Sequence, residues 1–265
     1  MNRKLIAIDL DGTLLRPDYS IGPLTLSVLR NLAKDEHMIM LSSGRPARTL
    51  VHFSELLGCP GPLSAYNGAY VFHASGPACF PPFDPTYASA DIQKIFLPIQ
   101  DKLLFFMGED GKRLIQNRRF DFLADYFPLE NIATELTDDL SKLPEQLKIF
   151  VFATDDETAS AVHALVKESY PHLHYHRWKK APLCELVLDS ITKGTALERV
   201  AAYYGFAKED IIAFGDSGND IPMLSLAGHP FAMKGCKSAK LASLFPATEK
   251  GNADEGVAYE LLKLF

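Results

Sequence analysis

Cysteine is scarce and scattered. The 265-residue chain has four, Cys59, Cys79, Cys184 and Cys236, with no Cys-x-x-Cys pair among them, which argues against structural zinc and for reduced, mostly buried thiols. No stretch approaches the apolar length that crosses a bilayer. Met1 to Lys4 runs straight into a strand-like segment without the layout of a leader, so a cytoplasmic protein with no membrane partner is expected. Positive charge is not in excess: 27 Lys and Arg stand against 33 Asp and Glu, for a net charge of -6. Nothing forms a basic stripe, so nucleic acid is not expected as a partner. An anionic substrate is still allowed, because local positive charge or a bound cation would serve it. The eight histidines make no cluster at metal-ligand spacing. His172, His174 and His176 alternate along one expected strand, but zinc there lacks a fourth ligand. Repeats and low-complexity tracts are also missing. What is present, 47% apolar and 23% charged residues, suits a globular chain with a sizeable core, in one large domain or two modest ones.

The most informative stretch is Lys4 to Leu15, K-L-I-A-I-D-L-D-G-T-L-L. An apolar run of strand length, Leu5 to Ile8, ends on Asp9 and Asp11, and Gly12-Thr13 then breaks the strand into a loop. Two carboxylates this close repel each other unless a cation lies between them. At the carboxyl end of the first strand of an α/β sheet they stand where such folds hold ligands.

Further along, Pro23 opens a helix reaching Glu36, and Met38 to Leu41 is a second short strand ending in Ser42-Ser43-Gly44-Arg45. Pro46 starts the next helix, giving the strand–helix alternation of a parallel sheet with crossover helices. Ser43 therefore lies at the same sheet edge as Asp9. It reads either as a helix cap or as a hydroxyl that, with free helix N–H groups, binds a phosphate oxygen. Leu63 to Phe72 reads as a hairpin on a two-residue type I′ turn at Asn67-Gly68. The turn alone accounts for Asn67, and a site role is the other reading.

Prolines 77, 81, 82 and 85 crowd a linker-like stretch, after which strands and helices follow without strict alternation. A helix over 89–101, a hairpin at Asp110-Gly111, a helix near Phe120 to Tyr126, a strand at 147–153, a helix at 157–169 and strands at 173–177 and 184–188 are expected. We read 83–186 as an inserted α+β domain and 1–82 with 187–265 as the core. Lys193-Gly194 opens an amphipathic helix. A lysine there is poorly placed against the helix dipole unless an anion shares that end; the alternative is an exposed, solvated lysine. Ile211 to Phe214 is a strand ending in Gly215-Asp216-Ser217-Gly218-Asn219-Asp220. Oxygen donors without His or Cys select a hard cation, and few protein ligands with room for water suit magnesium. The tail, Gly251-Asn252-Ala253-Asp254-Glu255-Gly256-Val257, leads into a last helix.

D-L-D-G-T-L-L, S-S-G-R, T-K-G and G-D-S-G-N-D-I-P-M-L stand in the order of the four motifs of the haloacid dehalogenase-like (HAD) phosphohydrolases. With N-G-A at 67–69 and the tail they resemble the Cof-type branch. The resemblance implies an α/β fold, a Rossmann-like parallel-sheet core with an inserted α+β cap of the C2 type. It implies Asp9 as nucleophile, Asp11 as acid and base, and Mg2+ held by Asp9, Asp11, Asp216 and Asp220. It further implies Ser43, Gly44, Lys193 and Asn219 at the phosphate. Cap residues would then choose the leaving group, with Asn67, Arg45, Arg177, Lys179 and Glu185 as weaker substrate candidates, although the charges at 177–180 also read as a solvated run.

The expected function is magnesium-dependent hydrolysis of a small phosphorylated metabolite, such as a sugar phosphate, through an aspartyl-phosphate, by a monomer or homodimer. A phosphosugar mutase using the same intermediate is the alternative enzyme. A non-catalytic phosphosugar-binding regulator is the third reading, and the intact Asp9–Asp11 pair argues against it.

Overall fold

The computed structural model describes residues 3–76, 79–124, 126–178, 182–236 and 238–265, with the backbone alone at 121 and 122. In chain order the first segment carries β1 (Leu5–Asp9), α1 (Pro23–Lys34), β2 (Met38–Ser42), α2 (Ala47–Leu57), β3 (Pro62–Ala65) and β4 (Tyr70–His73). The middle holds β5 (Tyr87–Ala88), α3 (Ser89–Phe96), β6 (Phe105–Glu109), β7 (Arg113–Gln116), α4 (Asp121–Ala124) and β8 (Ala133–Leu136). It continues through β9 (Gln146–Leu147), β10 (Ile149–Ala153), α5 (Asp156–Ser169), β11 (Leu173–Arg177) and β12 (Cys184–Leu188). The last segment has α6 (Lys193–Tyr204), β13 (Ile211–Gly215), α7 (Ile221–Leu226), β14 (His229–Ala232), α8 (Ala239–Leu244) and α9 (Gly256–Leu264). None of the described helices is long and apolar enough to cross a membrane.

The chain forms two compact units, Met1–Phe83 with Thr192–Phe265, and Asp84–Ile191. The return to the first unit falls later than the expected 187, because β12 runs to Leu188 as an inner strand of the second unit's sheet.

The first unit is built on a six-stranded sheet in the order β14-β13-β1-β2-β3-β4, parallel except for β4 at one edge. All five residues of β1 are buried, as a central parallel strand covered on both faces requires. Register aligns the strand ends: Asp9 lies opposite Ser42, Ile8 opposite Phe214, and Gly215 opposite Ala232. The ends of β1, β2 and β13 therefore deliver Asp9, Ser43 and Asp216 to one side. Helix α1 starts with proline at its first turn, where the missing N–H costs nothing. Helix α2 stops at Gly58, whose φ of 63° is the left-handed cap conformation. One core cluster packs Leu5, Ala7, Met40 and Ala213 of the sheet against Leu197 and Val200 of α6 and Leu224 of α7.

The inserted unit has its own six-stranded sheet, β11-β12-β10-β6-β7-β8, antiparallel except for the β7–β8 pair. Phe106, Phe150 and Phe152 of this sheet pack on Phe96 of α3 and Val162 of α5 in a separate core. Gly111, at φ 91°, turns the β6–β7 hairpin, and Asp110 Oδ1 accepts the N–H groups of Lys112 and Arg113 at 2.7 and 2.6 Å.

Two local expectations are corrected. The hairpin between β3 and β4 closes on the pair Ala65 and Tyr70, so its turn has four residues instead of two; Tyr66 and Asn67 adopt φ of 50° and 56°. The helix over 89–101 ends at Phe96 and gives way to a tighter, kinked stretch, Leu97–Lys102, because Pro98 cannot donate in a helix interior. On the strand expected at 173–177, His174 Nδ1 lies 3.3 Å from Asp189, and just before it His172 Nε2 lies 2.9 Å from Asp91.

Candidate active site

Asp9, the last residue of β1, is 4% exposed. Thr13 Oγ1 donates to its Oδ2 at 3.1 Å. The chain curls at once, with Leu14 N–H on the Asp9 carbonyl at 3.1 Å and Leu15 N–H on Leu10 at 2.9 Å. Gly12 makes this possible. Its φ is +83°, and a Cβ there would lie 2.5 Å from Asp216 Oδ2, so both the backbone and the neighbouring carboxylate require glycine.

Lys193 is the first residue of α6, behind a reciprocal cap between Thr192 and Thr195. Its side chain is 1% exposed, and Nζ donates to Asp9 Oδ1 at 2.5 Å and to Asp220 Oδ1 at 2.6 Å. Exposed, solvated lysine is thus the wrong reading of this position. Asp220 is fully buried. Its Oδ2 accepts the N–H groups of Asp216 and Ser217 at 3.0 and 2.9 Å, shaping the loop after β13, and Ser217 Oγ donates to Asp216 Oδ1 at 2.9 Å.

Asp9, Asp216 and Asp220 offer oxygen atoms within 4.8 Å of one another, and among the described residues they form the one such group able to hold a metal ion. Burial first, then the negative charges of Asp220, Asp216 and Asp11, push the Asp9 carboxyl well above its usual range, against the pull of Lys193. Burial opposes the charge on Lys193 too, but Asp220 and Asp9 outweigh it and hold the ammonium above its usual range. Lys193 answers Asp9 and Asp220, and an all-oxygen set of three buried carboxylates fits a hard divalent cation.

The Asp11 carboxylate is not part of this group. Arg45 grips it with both prongs, Nε to Oδ2 at 2.8 Å and Nη2 to Oδ1 at 2.7 Å. The Arg45 side chain is 6% exposed and that of Asp11 29%. Ser43, 1% exposed, accepts the Arg45 N–H on Oγ at 3.1 Å. Asn67 N–H donates to the Ser43 carbonyl at 3.0 Å, and Asn67 Oδ1 accepts from Asn219 Nδ2 at 2.8 Å. A Cβ on Gly44 would lie 3.2 Å from the Asn67 amide.

The first unit thus gathers Asp9, Asp11, Ser43, Gly44, Arg45, Asn67, Lys193, Asp216, Asn219 and Asp220 at one sheet edge. In the inserted unit, exposed Arg177 is ion-paired with Asp156. Glu185, by contrast, is 7% exposed and accepts from Trp178 Nε1 at 3.0 Å. Burial outweighs that hydrogen bond and raises its carboxyl to about 7. Lys179, with its neighbour Lys180, lies outside the described residues. Thr13 and Ser217 were not singled out from the sequence as site residues, although both stand inside the quoted motifs and both bind site carboxylates.

A family model for haloacid dehalogenase-like hydrolases matches residues 6–261. The chain belongs to this family. Among curated relatives, the 5-amino-6-(5-phospho-D-ribitylamino)uracil phosphatase of Bacillus subtilis is 28% identical over 98% of this chain and 97% of its own length. The HMP-PP phosphatase of Serratia proteamaculans is 27% identical over 92% of this chain and 88% of its own. A solved haloacid dehalogenase-like hydrolase from Bacteroides thetaiotaomicron superposes with a TM-score of 0.85 over 100% of both chains at 22% identity, and so has the same fold. For a haloacid dehalogenase-like hydrolase of this fold, the edge carrying Asp9 is the one the family motifs mark.

Proposed function

We propose that the protein is a magnesium-dependent phosphatase of small phosphorylated metabolites acting through an aspartyl-phosphate. The observation that supports this most is the buried grouping of Asp9, Asp216 and Asp220, with Lys193 bound to Asp9 and Asp220. Packing has no use for three buried carboxylates within reach of one ion, whereas phosphoryl transfer does. The phosphatase names of the relatives agree with it, and phosphate esters of sugars or heterocyclic precursors are the substrate class they suggest.

In this reading Asp9 attacks phosphorus; a carboxylate oxygen–phosphorus bond forms as the ester phosphorus–oxygen bond breaks, splitting one difficult displacement into two easier ones. Asp11 gives a proton to the departing alkoxide and then takes one from the water that hydrolyses the acyl phosphate. Ser43 Oγ–H, Lys193 and the Asn219 amide, beside Gly44, hold phosphoryl oxygens. Asp9, Asp216 and Asp220, with the Asp11 main-chain carbonyl, would hold magnesium, which when bound neutralises charge on the transferring group. Asp11 must exchange Arg45 for the ester during turnover.

Phosphate release from a panel of small phosphate esters, in magnesium or EDTA, tests the proposal with native protein and Asp9→Asn side by side. Magnesium-dependent release that disappears in the variant is expected. No release from any ester by folded native protein would reject it and turn attention to mutase activity and binding.

A further inference from the structure

Glu255 adopts φ +57°, in the left-handed region where a residue other than glycine is strained and the surroundings must over-determine it. Its side chain is 10% exposed. Oε1 accepts from Arg16 Nη2 at 2.7 Å, and Oε2 accepts the N–H of Thr25, in the first turn of α1, at 2.7 Å. Gly22 makes room for it, since a Cβ there would lie 2.1 Å from Oε2. Nearby, Asn252 Nδ2 donates to the Leu15 carbonyl at 2.7 Å. Two polar residues of the tail thus grip the segment that leaves Asp9 and Asp11.

The grip continues toward Asp11. Arg16 closes a tight turn, its N–H on the Ser20 carbonyl and its carbonyl taking the Tyr19 N–H, both at 2.9 Å. Tyr19 is itself at φ +62°, and its ring lies under the Arg45 guanidinium, 5.3 Å from centroid to Cζ. Arg45 in turn holds both oxygens of Asp11. Apart from the backbone of the 16–20 turn itself, the links are hydrogen bonds and one cation–π contact within the first unit.

We infer that Glu255 is a positioning residue for Asp11, acting through Arg16, the 16–20 turn and the Tyr19–Arg45 stack. The inference rests on the reading of Asp11 as acid and base. The test separates this role from helix capping. Arg16→Ala cuts the link and leaves the Thr25 cap in place, and Glu255→Ala removes both. Each is assayed for kcat/KM on p-nitrophenyl phosphate and on the alkyl phosphate hydrolysed fastest by the native protein. The nitrophenolate leaves with little help from an acid, whereas an alkoxide needs the proton. Losses of about tenfold on the alkyl ester and under about threefold on the aryl ester are expected for both alanine variants, with Arg16→Ala still unfolding cooperatively. Equal losses on both esters, or a lowered melting temperature with native rates, would overturn the inference. Crystal structures of native protein and Arg16→Ala give an arm independent of turnover: a Tyr19–Arg45–Asp11 arrangement unchanged in the variant overturns it, and a displaced one supports it. Native protein inactive on every ester would reject the phosphatase reading and leave this structural arm decisive.

Discussion

Glu185→Gln in the inserted unit is expected to stabilise that unit at alkaline pH and to do nothing at acid pH. The carboxyl is buried, and burial raises it from the ordinary 4.5 to about 7 despite the hydrogen bond from Trp178. A group raised on folding contributes stability that is complete below its unfolded value and is lost as pH rises through its folded value. Between pH 4.5 and somewhat above 7 the native unit therefore loses about 3 kcal/mol through this one side chain, at roughly 1.4 kcal/mol for each tenfold change in the proton equilibrium. Glutamine has no proton to lose, and its carbonyl can still accept from the indole. Trp178 is the only tryptophan in the chain and touches the group in question, so its fluorescence reports the unit locally during urea unfolding. The variant-minus-native difference in unfolding free energy is expected to rise by about 3 kcal/mol from pH 4.5 to pH 8. A difference independent of pH would refute the reasoning and mean that Glu185 meets water or a cation in the folded protein.

Lys193→Met leaves the buried carboxylates Asp9 and Asp220 without their ammonium. A cost of about 3–5 kcal/mol is expected in EDTA, and a clearly smaller one in millimolar magnesium, where bound cation replaces the missing charge. Thermal melts in the two buffers check this, and an equal loss in both would contradict the cation site. Gly12→Ala forces a side chain into positive φ and to 2.5 Å from Asp216 Oδ2. The expected outcome is about 1–2 kcal/mol of strain and loss of p-nitrophenyl phosphate turnover beyond tenfold, since the displaced carboxylate belongs to the site.

Much of the first unit was legible because its signals are local. An apolar run of four, a glycine and a proline decide where a strand ends and a helix begins, and in a parallel sheet the strand ends share an edge. Asp9, Ser43 and Asp216 could therefore be assigned together before any contact was known. The turn at Asn67-Gly68 shows the limit. The dipeptide signals a reversal, but the pairing of Ala65 with Tyr70 sets its length, and pairing belongs to two strands. In the inserted unit, the helix break at Pro98 was readable and overlooked, while the burial of Glu185 was not readable at all.

The sequence by itself determined the order of strands and helices, the glycines at strained turns and the supply of carboxylates at the strand ends, because each follows from backbone preference and from which side chains avoid water. Only the tertiary structure decided which charge answers which. Lys193 reaches Asp9 across 184 residues of chain, Arg45 reaches Asp11 across 34, and Arg16 reaches Glu255 across 239. Those partners meet through sheet register and helix docking, and no local pattern in the chain records a distance between residues so far apart.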